Sequence, residues 1–556
     1  MKLDNGRISE RQCFRIGVLE NIPVGIVVIP FITANVAGRF HFPALVLGLI
    51  FTIVYGFVIF FLTKAFPEGF LEYIGESLGI GGKIIEGIYI LRYAIKGSLI
   101  ILFFGSIIQE YMLRSFNLWW IIVPFVLISG YGGTRDVEKR GRLLELLFWW
   151  MIVPIVLVAV FSISNIDWKA IPDMMFGFSG ESMRVGIGSI FLGAYIVLVV
   201  MSTMELMIFT LVKQKKNHWE NALKTLLWVI IAIIMAHIFI QGILGSGWAG
   251  SESTSVLSVM EASTLPGGAV ERLDYPVLAF WIIGVFAVVS GYMFYSKELI
   301  NHMCSLDNPR DRVWSMPVVI ILFLLGTFLW GIGGVAKYLT WYIVWFDVAL
   351  SIFIPGVVWL LKQEKTKAIL RGTINKKSNI VLIIFALASV VSFSGCRKAE
   401  DVKEITKDMN TEYVPLDKKQ SSLENRDYVV KLKVSDSDSW GKTYELEFEI
   451  ADLSEYKGQS KGSLKTKEYS WEGDGIRQAE EEYFDSKERE LDLGHISQVE
   501  IDDDIKGKEL VAIVKELKSN PSVPKSVKVK LTLEGREEEL LLRDLIKKLY
   551  SGENSI

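Results

Sequence analysis

The chain has 556 residues, 51% of them hydrophobic, and a formal net charge of −3. It has no Lys- and Arg-rich stripe with interleaved aromatic residues, so nothing supports nucleic-acid binding. The three cysteines are far apart and the five histidines are scattered, which excludes the usual spacings of zinc sites and disulfide frameworks. Phosphate-loop, nucleophile-elbow and metalloprotease motifs are also missing. We therefore expect no enzyme activity, metal site or cofactor.

The charged residues are distributed unevenly between two parts of the chain. They make up about 14% of residues 1–395 and about 40% of residues 396–556, whereas a globular chain averages about 25%. The first part is too apolar for an ordinary soluble domain, and the second is unusually polar. This contrast predicts a membrane part followed by a water-soluble part.

The first part contains apolar runs of the length that a membrane helix needs, which is about 20 residues for a hydrocarbon layer about 30 Å thick. We predict ten spans, of which the fourth is short. Their approximate ranges are 12–36, 42–63, 83–112, 118–130, 144–163, 185–212, 223–245, 276–297, 315–334 and 341–361.

The basic residues predict the orientation of these spans. They cluster in the N-terminal segment and in the loops after spans four, six, eight and ten, with Arg7, Arg135, Lys213, Arg310 and Lys365 as examples. Counting ten spans places every cluster on one side, which is the cytoplasmic side because Lys and Arg are enriched in cytoplasmic loops. The N-terminus is then cytoplasmic, and residues 396–556 lie outside.

Ten spans favour an architecture of two five-span repeats with opposite orientation, in which the first and sixth spans are broken and bind the ligand at the break. In the predicted first span, Asn21, Pro23 and Gly25 suggest such a break, because Pro lacks a backbone donor and Gly tolerates unusual dihedral angles. The freed backbone groups could contact an amino-acid-like ligand. Pro and Gly are also frequent in ordinary membrane helices.

Charged residues fall inside several predicted spans, among them Glu20, Arg92, Lys96, Glu205 and Asp347. Each is costly in lipid unless it is paired or faces water. Arg92 and Lys96 are four residues apart and share a helix face. We predict that Glu205 and Glu20 are their partners. The group could form a ligand or ion path, or an ion network that only locks helices together.

Three short motifs resemble the spore germination permeases, the B-type subunits of germinant receptors. They are Ile8-Ser9-Glu10-Arg11-Gln12, Val270-Glu271-Arg272-Leu273-Asp274-Tyr275 followed by Trp281, and Glu205 followed by Lys213, Lys215 and Lys216. The resemblance covers residues 5–365. It implies membership of the amino acid, polyamine and organocation transporter superfamily, an amino-acid-type ligand, the spore inner membrane, and sensing rather than nutrient uptake.

The two parts meet at a stretch that is typical of a bacterial lipoprotein signal. Lys376 and Lys377 precede a short apolar core, and Ser394-Gly395-Cys396 follows it. We predict lipidation of Cys396, which would anchor the following residues to the outer face of the membrane. The sequence does not decide whether a signal peptidase cleaves the chain before Cys396. The alternative is a plain eleventh membrane helix that happens to contain a cysteine.

The second part has the alternation of a small α+β domain. We predict strands at 428–434, 444–450, 495–501 and 527–533, helices at 476–490, 506–517 and 538–550, and a loop-rich stretch at 452–475. The acidic runs 480–482 and 502–504 lack the spacing of a calcium loop and are expected to be solvated.

This second part is similar to the lipoprotein C-type subunit of the same receptors. Three short motifs carry the resemblance: Ser394-Gly395-Cys396, Asp474-Gly475-Ile476 and Leu493-Gly494-His495-Ile496. Members of that family are usually about twice as long, so we expect only the first domain or two here. The fusion agrees with the partnership of B-type and C-type subunits in one complex, and it could also be a decayed gene pair.

We therefore predict three regions: a ten-span permease-like domain (1–365), a linker with the internal signal (366–395) and an outer α+β domain (396–556). The predicted function is that of a germinant-receptor subunit that binds a small nutrient and triggers ion release, in the membrane and with an A-type partner subunit. The alternatives are an amino acid/cation symporter with an appended domain, and a scaffold that binds nothing. The predicted ligand-binding residues are Asn21, Pro23, Gly25, Arg92, Lys96 and Glu205.

Overall fold

The computed structural model describes two blocks of the chain, residues 7–371 and 426–551, with internal gaps. The gaps are 67–68, 71–72, 75–77, 114–115, 135, 167, 169–170, 172–182, 214–217, 245–255, 258, 260–273, 307–310, 438–442, 452–465, 488, 494–495, 521–522, 524–526 and 534–535. The predicted signal and its lipidation site, Cys396, lie outside the described residues.

The first block is helical. Its α-helices are α1 Glu10–Ala37, α2 His41–Ala65, α3 Ile80–Tyr111, α4 Leu118–Thr134, α5 Val137–Ser162, α6 Met183–Met201, α7 Met207–Val212, α8 His218–Leu244, α9 Asp274–Met303, α10 Ser315–Trp330, α11 Gly333–Tyr342 and α12 Val348–Arg371. Short 3₁₀ segments lie at Gly38–Phe40, Ile163–Asn165, Ser202–Leu206 and Asp311–Trp314, and a π-helical segment lies at Ile343–Asp347.

Nine helical stretches of the described part are long and apolar enough to cross a membrane. They correspond to nine of the ten predicted spans, with α6 and α7 forming one stretch and α11 and α12 another. The remaining predicted span, the fourth, is α4, an apolar helix of 17 residues. The first block is therefore a bundle of membrane-length helices, and the count of ten stays a prediction.

The predicted break in the first span is wrong. Helix α1 runs without interruption for 28 residues, with Pro23 and Pro30 inside it. A capping box at its start, formed by Ser9 and Gln12, satisfies the first free amide groups. The sixth span, which the two-repeat architecture also expects to be broken, is interrupted at Ser202–Leu206. A further interruption, which was not predicted, lies in the tenth span at Ile343–Asp347. Proline alone does not break a membrane helix, because neighbouring groups can satisfy the carbonyl that it frees.

Helices α1 and α9 occupy the centre of the bundle. Helix α1 packs against α2, α5, α6, α8 and α9, and α9 packs against α3, α4, α5 and α10 as well. Most of the apolar stretch of α1 is buried inside the protein, whereas that of α5 is largely exposed at the bundle surface. Polar side chains of α1 and α9 therefore face other helices and not lipid.

The second block contains a mixed sheet flanked by helices. The strands are β1 Arg426–Asp436, β2 Tyr444–Ala451, β3 Thr466–Gly473, β4 Glu490–Asp492, β5 Gln498–Ile501, β6 Lys528–Leu533 and β7 Arg536–Leu541, and the helices are α13 Ile476–Lys487, α14 Lys508–Ser519 and α15 Leu542–Ser551. The strand order is β3-β2-β1-β5-β6-β7, with β4 paired to β1. The pairs β1–β4, β1–β5 and β5–β6 are parallel, and the other pairs are antiparallel.

Alternation along the strands separates a core face from a charged face. Leu432, Val434, Phe448, Val499 and Val529 are buried. Intervening positions carry cross-strand ion pairs, Lys431–Glu500 at 2.8 Å and Lys528–Glu539 at 2.7 Å. This is the pattern of a sheet with one buried and one hydrated face.

The α+β character of this region is confirmed, and three predicted elements need correction. The end of the predicted loop 452–475 is strand β3, and the predicted helix 476–490 ends at Lys487, before β4. The predicted helix 538–550 begins as strand β7 and becomes helical at Leu542. The run of glutamates in β7 favoured the prediction of a helix. In the structure these glutamates lie on a strand, because β7 pairs with the lysine-containing strand β6.

Candidate functional site

Four charged side chains meet in the interior of the helix bundle, and we call them the central cluster. Arg92 Nη2 lies 2.9 Å from Glu205 Oε2, and Arg92 Nε lies 3.0 Å from Asp347 Oδ1. Lys96 Nζ lies 2.9 Å from Asp347 Oδ2 and 3.6 Å from Glu205 Oε1. The most exposed of the four side chains, Lys96, is only 7% exposed. The central cluster is thus closed to solvent in this conformation.

Irregular helix segments place both carboxylates of the central cluster. Glu205 lies in the 3₁₀ segment Ser202–Leu206 of the sixth span, and Asp347 ends the π-helical segment Ile343–Asp347 of the tenth. Arg92 also donates to the main-chain carbonyl of Asp347 at 3.1 Å. Stretches of π-helix and mid-helix 3₁₀ turns are frequent at functional sites and hinges, because they change which side chains face inward. Their coincidence with the two acids marks this as the candidate site.

The charges of the central cluster balance. Two cations, Arg92 and Lys96, face two anions, Glu205 and Asp347. An unpaired buried charge costs several kcal/mol, so neutrality is what allows four ions to remain together in a low-dielectric interior. Any change that removes one of these charges leaves a net charge behind.

Several polar atoms of this site remain unsatisfied. Glu205 Oε1, Arg92 Nη1 and the hydroxyl of Tyr93 make no hydrogen bond to the described residues. Buried polar atoms are nearly always hydrogen-bonded in folded proteins, to protein or to water. One free acceptor and two groups that can donate therefore remain around a closed, neutral ion cluster, and a small polar molecule could use them.

Of the predicted residues on α1, Asn21 is hydrogen-bonded to the segment that carries Glu205. The side chain of Asn21 accepts a hydrogen bond from Thr203 Oγ1 at 2.8 Å and donates to Gly17 O at 2.8 Å. Pro23 lies against Gly284, and Gly25 packs against the apolar side chains of Met201 and Ile233. Pro23 and Gly25 therefore serve helix packing in this conformation, and their predicted role in ligand contact stays a prediction.

The predicted partnership of Glu20 with Arg92 and Lys96 is wrong. Glu20 Oε1 lies 2.7 Å from Arg140 Nη2, and the second anion of the central cluster is Asp347. Glu20 and Asn21 are neighbours on a helix and point about 100° apart, so only one of them can face Glu205. The sequence did mark Asp347 as a charge inside a span, but nothing in it shows which way that span faces.

Lys96 also reaches a second group of the sixth span. Its ammonium donates to Ser202 Oγ at 2.8 Å, and Ser202 in turn donates to the Val199 carbonyl at 2.6 Å. Thus α3 holds both the start of the 3₁₀ segment, through Ser202, and its end, through Glu205. Within the described part of the chain, no three His, Cys, Asp or Glu side chains come together in a way that could hold a metal ion.

The chain matches a known protein family. A protein-family model described as "Spore germination protein" matches residues 7–328, more than half of the chain. The match includes Arg92, Lys96 and Glu205 and ends before Asp347. No curated protein matches the chain.

Proposed function

Because the chain belongs to the family of spore germination proteins, we propose that it is a germinant-receptor subunit. In this proposal its membrane helices bind a small, amino-acid-like nutrient, and binding triggers ion release and germination. The family and the nine long apolar helices of the described part make the chain a multi-pass membrane protein. An A-type subunit is its proposed partner in a larger receptor, as the resemblance to B-type and C-type subunits implies.

The observation that carries this proposal is the unused hydrogen-bonding capacity of the central cluster. Glu205 Oε1 accepts no hydrogen bond and Arg92 Nη1 donates none among the described residues. The ammonium of an amino acid would donate to Glu205, and its carboxylate would accept from Arg92. A zwitterion adds no net charge to a neutral site, whereas a singly charged ligand would leave one charge uncompensated in the interior.

Binding must also change the conformation. The central cluster is closed to solvent, so a nutrient enters only after helices separate. A ligand shifts an equilibrium only when it binds one state better than the other. The Asn21–Thr203 hydrogen bond joins α1 to the 3₁₀ segment that carries Glu205. We therefore propose that the sixth span moves relative to α1 when the site is occupied.

The proposed location is the spore inner membrane, with the N-terminus in the cytoplasm and residues 396–556 outside. A contact between the two blocks supports this arrangement. Arg543 of α15 donates to Asn165 Oδ1 at 3.1 Å, and Asn165 follows the end of α5. The other end of α5 carries Lys139 and Arg140, as expected for a cytoplasmic end.

An amino acid/cation symporter is the second candidate, because broken helices around buried charges are also typical of secondary transporters. Purified full-length chain in lipid vesicles separates the two functions. With labelled L-alanine and an imposed sodium or proton gradient, we expect at most saturable binding and no accumulation above the outside concentration. Gradient-dependent accumulation that is lost when the gradient is collapsed would establish transport and contradict the sensing proposal.

A second prediction concerns the proposed lipid anchor at Cys396. Cells that produce the chain and are fed a labelled fatty acid should incorporate label into it, and Cys396→Ala should abolish this incorporation. Cys304→Ala is the matched control, because Cys304 is exposed and lies on the other side of the proposed signal. The same gel shows whether the chain stays near its full 62.8 kDa or is cut before Cys396. If both variants are labelled equally, Cys396 is not lipidated, and the segment before it is a plain membrane helix.

A further inference from the structure

A second buried ion pair involves Glu20, the residue before Asn21 on α1, and lies on a different face of that helix from the Asn21–Thr203 contact. Glu20 of α1 and Arg140 of α5 are within 2.7 Å, and their side chains are at most 1% exposed. Arg140 also donates to the carbonyl of Ala287 in α9 at 3.2 Å. The pair therefore ties α1, α5 and α9 together, close to the end of the bundle at which α1 and α5 begin.

This pair is only partly satisfied. Glu20 Oε2, Arg140 Nε and Arg140 Nη1 are buried and make no hydrogen bond to the described residues. A buried ion pair repays the loss of its hydration only when further hydrogen bonds satisfy the rest of both groups. Three unused polar atoms therefore favour a second arrangement in which water reaches Glu20 and Arg140. Such a balance is a property of a switchable contact and not of a permanent one.

A glycine of α9 allows the pair to form. A Cβ atom at Gly291 would lie 2.7 Å from Glu20 Oε1 and 2.9 Å from Arg140 Nη2. Any side chain there would press on both charged groups at their point of contact. Gly291 thus offers a way to disturb the pair without removing either charge.

Two helices connect this pair to the central cluster. On α1, Glu20 is followed by Asn21, which accepts a hydrogen bond from Thr203 beside Glu205. On α9, Gly291 is followed by Tyr292, whose ring centre is 5.9 Å from Lys96 Nζ. Helix α1 thus contacts the segment that carries Glu205, and α9 contacts Lys96. Because both helices also contact the Glu20–Arg140 pair, a shift of either helix near the central cluster should displace that pair.

We propose that the Glu20–Arg140 pair is a latch that keeps closed the end of the bundle where α1 and α5 begin, and that rearrangement of the central cluster releases it. The releasing step rests on the proposed function, since it requires that a ligand acts at the central cluster. The latch itself does not, because it concerns the closed state without any nutrient.

The native cysteines report on the latch directly. Cys13 lies on α1, two turns before Glu20 and so on nearly the same face of the helix, and is 1% exposed. Cys304 is exposed and serves as an internal reference. Membranes that contain the full chain are treated with N-ethylmaleimide without nutrient, and alkylation of each cysteine is followed by mass spectrometry. Opening of the latch should expose Cys13 and leave the rate at Cys304 unchanged.

Three variants make the test specific. Glu20→Gln removes the charge, and Gly291→Ala separates the pair sterically, so both should raise the alkylation rate of Cys13 relative to Cys304 by about tenfold or more. Gly356→Ala is the matched control: it is also a glycine of a membrane helix, but an added Cβ meets no atom within 4 Å. Its rate should equal that of the unmodified chain.

Two results would overturn the latch. The first is an unchanged Cys13 rate in both Glu20→Gln and Gly291→Ala. The second is a rate that rises only in proportion to the loss of monodisperse protein in size-exclusion chromatography, since this is the behaviour of a purely structural pair. If both variants expose Cys13 but no amino acid binds to the unmodified chain or triggers germination through it, the proposed function is refuted. The proposal of a latch is then still supported.

Discussion

Spores whose receptor carries Glu205→Gln should lose about 30-fold or more of their nutrient sensitivity, because truncating one partner of a buried charge pair costs about 2–5 kcal/mol. Gln has nearly the same shape as Glu, so the packing of the 3₁₀ segment is retained. The amide removes the negative charge that would receive the ligand ammonium. The concentration of nutrient that gives half-maximal germination measures the effect, with the amount of receptor checked by immunoblot.

A control separates this effect from a general loss of charge. The control variant is Glu220→Gln. Glu220 lies on α8, its side chain is 58% exposed, and it pairs only weakly with Lys224 at 3.8 Å. This variant should leave nutrient sensitivity and receptor level unchanged. If Glu205→Gln spores germinate normally at a normal receptor level, Glu205 has no part in the mechanism, and the central cluster only holds helices together.

The second large effect is expected at Asp347, and it is an effect on stability. Asp347 makes short contacts with both cations, at 3.0 Å to Arg92 and 2.9 Å to Lys96. Asp347→Asn leaves two buried cations with one anion, and breaking a buried pair in this way costs about 3–5 kcal/mol. Heating the detergent-solubilised chain and measuring the fraction that remains monodisperse should show a large loss of thermal stability.

Removal of a cation should reverse this loss. Lys96→Met replaces the ammonium by an apolar side chain of similar length, so Lys96→Met combined with Asp347→Asn restores neutrality around Arg92 and Glu205. We expect the double variant to recover most of the thermal stability that Asp347→Asn loses. A double variant as unstable as Asp347→Asn, or less stable, would show that charge balance does not govern this site.

The sequence predicted those features that depend on local composition. Long apolar runs predicted the membrane helices. The alternating runs around Leu432 and Phe448 predicted β1 and β2. In each case residues that are close in the chain produce the pattern, so no knowledge of the tertiary structure is needed.

The pairing inside the bundle could not be predicted in the same way. Arg92 and Lys96 share a helix face, and the sequence indicated this correctly together with Glu205. The choice between Glu20 and Asp347 depends on how α1 and the tenth span are rotated about their axes. Because the tenth span contains a π-helical segment, its facing is shifted relative to a regular helix, and a period of 3.6 residues cannot reveal this.

The strand order of the C-terminal sheet has a consequence for the time at which it forms. Strand β1 is the first strand to be synthesised, yet it lies between β2 and β5, and Ser497 beside β5 bonds to Val430 of β1 across 67 residues of chain. Such non-local pairings slow folding, because the chain loses entropy when a long loop closes, before the new contacts can stabilise the structure. While the chain is being synthesised, β1 and β2 can pair early, but the far edge of β1 stays open until β5 emerges. Chains that are truncated before β5, which begins at Gln498, should therefore keep this edge unpaired and be prone to aggregation.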